Sequence, residues 1–98
     1  MATLRAIPPL EGDGGQRSRT LLGAIMAVLF WQRRGASVHP DDEEVIRTHP
    51  EYRSVASRII DQILEVASEV STPRSIIRDI APHVVISNYS AISRLPPP

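Results

Sequence analysis

The spacing of apolar residues from Tyr52 onward restricts this chain more than any other feature. Tyr52, Ala56, Ile59, Ile63, Val66 and Val70 recur at intervals of four, three, four, three and four residues. That period places all six on one stripe of an α-helix, whereas a strand would bury every second residue. Val55, Ile60, Leu64 and Ala67 widen the stripe, and Glu51, Ser54, Arg58, Asp61, Glu65 and Glu69 occupy the opposite surface. Residues 48–71 are therefore expected as one long amphipathic helix, with Thr48 and Glu51 at capping-box spacing. Such a helix can meet two neighbours: helices of its own chain, or a second copy of itself or a partner's helix in a coiled-coil seam.

At 98 residues there is room for one domain with a modest core. The fold class that follows is all-α, a small bundle of four to five helices, expected to be a dimer through the long central helix. Hydrophobic residues make up 42% and charged residues 22%, and the formal charge is zero. A neutral chain is not built to coat nucleic acid or anionic lipid over its whole surface, so any such binding must use a local patch. Cysteine is absent, which excludes disulfides, thiol catalysis and cysteine-based zinc sites and fits a reducing, cytoplasmic setting. All 11 basic residues are arginine. Every cation therefore stays charged, and no side-chain amine exists for Schiff-base chemistry, acetylation or ubiquitin attachment.

Punctuation along the chain divides it into a flexible arm over 1–17, a helical domain over 18–95 and a proline tail over 96–98. The arm carries Pro8-Pro9 and Gly12-Asp13-Gly14-Gly15; the tail is Pro96-Pro97-Pro98 after Leu95. A first helix is expected over 19–34, with Ser18 or Thr20 as cap and Gly35 ending it. Its centre is an 11-residue apolar run that opens on Leu21 and closes on Trp31. A membrane span needs about 20 such residues, so the run reads as a helix buried on most sides, with partial membrane contact or a partner's groove as the competing roles. A short helix over 40–47 follows, its acids Asp41 to Glu44 placed by the positive end of the helix dipole. His49-Pro50-Glu51 repeats the pattern of His39-Pro40-Asp41 ten residues later. A further helix has Thr72 as cap, Pro73 at its first position and Ile76, Ile77 and Ile80 as its buried side, ending before Pro82. Residues 83–94 suit a helix through Val85, Tyr89 and Ile92, although Val84-Val85-Ile86 is rich in β-branched residues.

No residue pattern supplies chemistry. The four consecutive acids point around their helix instead of converging, and with His39 and His49 they match neither HExxH nor a calcium loop. There is no G-x-S-x-G, no P-loop and no G-x-G-x-x-G. The chain is accordingly expected to need no metal and no cofactor and not to be an enzyme. Asn88-Tyr89-Ser90 fits the glycosylation triplet, and Arg94-Leu95-Pro96-Pro97-Pro98 resembles half of a proline-rich SH3 ligand.

Two function classes remain. One is a non-enzymatic interaction protein that presents the Tyr52, Ala56, Ile59, Ile63, Val66, Val70 seam, or the first helix, to a second copy or another protein. The other is a dimer in which Arg53, Arg58, Arg74 and Arg78 from two copies contact duplex phosphates. The absence of lysine among arginine, serine and proline resembles the product of a viral overlapping reading frame. The stretch Ser57-Arg58-Ile59-Ile60-Asp61-Gln62-Ile63-Leu64-Glu65, followed by Pro73 and the helix from Ser75 to Ile80, is similar to the long-helix, short-helix segment of nodavirus B2 proteins. That resemblance covers about a quarter of the chain. It implies an all-helical dimer binding double-stranded RNA in the host-cell cytoplasm to suppress RNA silencing, with Arg58 and Arg74 as the contacts. The family uses lysine as well as arginine, and the apolar first helix has no counterpart in it.

Overall fold

A computed structural model describes the chain from Gly14 to Pro98, and the described residues are all-α, in five helical rods without a strand. The arm expected over 1–17 lies outside the described residues for its first 13 positions. Helix α1 (Gly14–Arg33) begins inside the rest of it, earlier than the cap at Ser18 or Thr20 implies. Its end follows the sequence closely. Gly35 takes φ +98, and the Gly35 and Ala36 amides donate to the Gln32 and Trp31 carbonyls at 3.0 and 2.9 Å. These two bonds are the Schellman pair, which needs a residue without a Cβ at the turn.

Helix α2 (Pro40–Arg47) is capped by His39, whose Nδ1 accepts from the Asp41 amide at 3.1 Å. Thr48 closes α2 instead of opening the next helix: its hydroxyl donates to the Val45 carbonyl at 2.9 Å. The capping box expected from Thr48 and Glu51 therefore does not form. Helix α3 (Pro50–Val66) starts behind His49, which supplies no side-chain cap. It stops five residues short of the expected end at Ser71. Ala67 turns to extended backbone, and Ser68 and Ser71 satisfy each other through amide–hydroxyl and hydroxyl–hydroxyl contacts at 3.2 and 3.0 Å. Serine side chains compete with the helix for backbone groups, and here they win over the apolar period.

Helix α4 (Pro73–Ser75) is capped by the Thr72 hydroxyl, which accepts from the Ser75 amide at 3.1 Å. It runs through a π-turn (Ile76–Ile80) directly into α5 (Ala81–Ser87), and α6 (Tyr89–Ser93) follows after a break at Asn88. Pro82 thus does not end the helix. A proline inside a regular helix has no amide to donate and drives its ring into the carbonyl four residues back. The widened turn immediately before it moves that carbonyl aside, and the Ala81 amide reaches the Ile76 carbonyl instead. One consequence is that only Ile76 of the expected isoleucine face is buried; Ile80 is half-buried and Ile77 is 67% exposed.

The core is a single cluster in which α1 lies along α3. Leu22, Ile25, Val28, Leu29 and Phe30 of α1 meet Tyr52, Ala56, Ile59, Ile60 and Ile63 of α3, with Ile46, Ile76 and Val84 closing the ends. Burial decides between the competing roles of both apolar segments. Most of the run is core, with Leu22, Ala24, Ile25, Val28, Leu29 and Phe30 buried and the closing Trp31 exposed, and no described helix is long and apolar enough to cross a membrane. The seam corrects the expected self-association surface: Tyr52, Ala56, Ile59 and Ile63 are at most 2% exposed within one chain. Only Val66 and Val70 remain for another molecule, at 67% and 88% exposure.

Two polar clasps hold the C-terminal helices on α3. Asn88, 6% exposed, donates from Nδ2 to Gln62 Oε1 at 2.7 Å and to the Val84 carbonyl at 2.8 Å. The Asn88-Tyr89-Ser90 triplet is therefore no glycan acceptor in the folded chain. The buried Tyr52 hydroxyl donates to the Pro96 carbonyl, and Leu95 packs on the core. The proline tail expected over 96–98 is tied down at its first residue.

Candidate binding groove on the long helix

The outward face of α3 carries a shallow, open groove. Pro50, Arg53, Ser54, Ser57, Arg58, Asp61 and Gln62 line an open groove of about 580 Å³. Their spacing of three and four residues is the helical period again, displaced onto the side away from the core. The groove follows the helix for about 18 Å, the rise of twelve residues. A second groove of about 300 Å³ lies where α1, α2 and α3 meet, lined by Leu29, Gln32, Glu43, Ile46, Arg47 and Arg53. Arg53 belongs to both, so the two grooves adjoin at its side chain.

Charge in this region is partly neutralised. Arg33, at the end of α1, pairs with Asp61 and donates to Ser57 Oγ at 2.8 Å. Arg47 pairs with Glu44 one helical turn earlier at 2.5 Å. That bond holds the Glu44 carboxyl below its ordinary range and raises Arg47. Arg53 and Arg58 are exposed, and among the described residues neither guanidinium has an ion-pair partner. Two free guanidinium groups beside hydroxyl and amide side chains can bind carboxylate or phosphate oxygens in a planar, two-pronged manner.

The four arginines singled out from the sequence do not form one set. Arg53 and Arg58 share the groove; Arg74 and Arg78 lie outside it, on α4 and the π-turn. Arg78 is engaged with the adjacent Asp79 through bonds of 3.0 and 3.1 Å, and its hydrogen bond lowers the Asp79 carboxyl. Arg33 and Arg47 join the grooved face instead. Nothing local in the sequence marks them, because Arg33 reaches Ser57 and Asp61 across two helices. The acids of α2 diverge as expected from helical geometry: Asp42 is buried, while Asp41, Glu43 and Glu44 are exposed. Among the described residues no three acids, histidines or cysteines converge as a metal site would require.

A second exposed feature is apolar. Val66, Val70, Ile77, Ile86 and Tyr89 are between 59% and 88% exposed, all within the stretch that joins α3 to α6. The fold is that of a small all-α bundle. No family model matches the chain, nor does any curated protein or any solved structure.

Proposed function

We propose that this chain is a non-enzymatic interaction protein that works by binding a protein, either a second copy or a different partner. The observation that carries this reading is the exposed set Val66, Val70, Ile77, Ile86 and Tyr89 beside a core that is already closed. Large apolar side chains exposed to water cost free energy that association relieves. The contact thus shifts from the buried seam to the region after α3. In the viral reading, the chain is an accessory factor in the host-cell cytoplasm.

Light scattering after size-exclusion chromatography tests this reading. Wild type is expected to exceed the 10.8 kDa monomer mass as concentration rises. A variant with Ile77→Ser, Ile86→Ser and Tyr89→Ser is expected to stay monomeric with its helicity intact. A wild type that remains monomeric, and whose triple variant is indistinguishable in stability and solubility, would leave the apolar set without an associative role.

Double-stranded RNA is the second reading, supported by Arg53 and Arg58 in one groove beside Ser54 and Ser57. A short RNA duplex in the same chromatography separates the two. Under this reading Arg53→Ala with Arg58→Ala removes a mobility shift, and log affinity falls linearly with log salt.

A further inference from the structure

We propose that Thr72 is a phosphorylation site, modified by a serine/threonine protein kinase that selects acceptors followed by proline. The inference goes beyond the interaction reading and uses none of its residues, so either can fail alone.

Sequence, backbone and exposure carry it. Thr72-Pro73 is the one place in the 98 residues where a serine or threonine directly precedes a proline. A residue before proline is pushed out of the helical region into extended backbone, and Thr72 stands at φ −81, ψ 157. Protein kinases take the acceptor residue in an extended segment, so Thr72 already holds the backbone conformation that such a cleft needs. It is exposed, in the link over 67–72 that joins α3 to α4. No side chain over 68–75 is buried. What holds the link is a set of surface hydrogen bonds. The Ser71 amide donates to the Ser68 carbonyl at 3.0 Å, the Ser68 and Ser71 hydroxyls meet at 3.0 Å, and the Ser75 amide donates to the Thr72 hydroxyl at 3.1 Å. Bonds of this kind open locally without disturbing a core, which frees the Thr72 hydroxyl for a kinase. Other hydroxyls are worse placed: Ser71 is half-buried, Ser57 accepts from Arg33, and Thr48 donates to the Val45 carbonyl.

In the transfer, Thr72 Oγ bonds to the γ-phosphorus of ATP as the bond to the bridging oxygen breaks. ADP leaves, and the hydroxyl proton passes to the kinase's aspartate. The new group carries about −1.5 to −2 charges at neutral pH. It would stand at the start of the helical run over 73–87, where the helix dipole favours negative charge. Arg74, two residues on, is exposed and has no ion-pair partner among the described residues. Glu69 is the one acid over 66–78, and Asp79 beyond it is paired with Arg78. The fold therefore accepts the phosphate where it lands.

The test incubates the full chain with a purified proline-directed kinase and Mg-ATP and locates the product by tandem mass spectrometry. Wild type and Thr72→Ser are expected to gain one phosphoryl group, at position 72, and Thr72→Ala none. Pro73→Ala keeps the acceptor and a residue suited to a first helical turn, and it should lose the modification. Circular dichroism is expected to show all variants, and the phosphorylated chain, as helical as the unmodified protein. A peptide of residues 68–78 serves as the unfolded control. A peptide that is phosphorylated while the folded chain is not would overturn the proposal, because the fold would then withhold the site. Modification at another residue, equal modification of Pro73→Ala, or loss of helicity on phosphorylation would overturn it as well.

Discussion

At the scale of single residues, one apolar stripe contains positions of very different weight. Ile59 and Ile63 are enclosed by α1 and α3, whereas Val66, three residues further on, is mostly in water. Ile59→Ala should cost about 3 kcal/mol through lost burial and the cavity left behind, and Val66→Ala less than about 0.5 kcal/mol. Urea denaturation of the two variants measures the contrast directly. Ile63→Asp would bury an unpaired charge and should abolish the cooperative transition, whereas Val66→Asp should keep it. Asn88 is the polar counterpart, with its amide hydrogens committed to Gln62 and Val84. Asn88→Ala would strand Gln62 Oε1 and is expected to destabilise by about 1–3 kcal/mol in the same assay.

At the scale of elements, helix ends are decided by short polar residues and by proline. Gly35 closes α1 in a left-handed conformation, so Gly35→Ala should lower stability by about 1 kcal/mol, read from the shift in urea midpoint. Ser68 and Ser71 stop α3 although the apolar period continues to Val70, and Pro82 is absorbed by a π-turn instead of ending its helix. Exposed ion pairs at the elements' surfaces add a small pH dependence. Hydrogen bonds from Arg47 and Arg78 lower the Glu44 and Asp79 carboxyls in the folded chain. A carboxyl lowered on folding stabilises above its unfolded pKa, and that contribution is lost as pH falls through the folded value. Thermal melts across the acidic range should show wild type losing slightly more stability than the Glu44→Gln, Asp79→Asn double variant. The effect is small because both pairs face solvent.

At the scale of the molecule, the all-α bundle, the burial of the first helix and the stripe from Tyr52 to Ile63 were legible in the sequence, because the helical period forces those residues onto one face. Gly35, Pro40, Pro50 and Thr72 marked helix boundaries because their backbone preferences act over a few residues. The partner of the stripe was not legible, since the period is the same whether α1 or a second chain covers it. Folding assigned the stripe to α1, which removed the expected dimer seam and left Val66, Val70, Ile77, Ile86 and Tyr89 as the exposed remainder. The grooved face was half legible. Arg53 and Arg58 sit on one helix by sequence, although five residues turn it by about 140°, while Arg33 and Arg47 arrive from α1 and α2. The sequence by itself thus determined which residues are helical and which side of each helix avoids water, as both follow from local geometry and periodic burial. Only the tertiary structure decided which apolar face is spent inside the chain and which arginines stand together, because those depend on how separate helices cross.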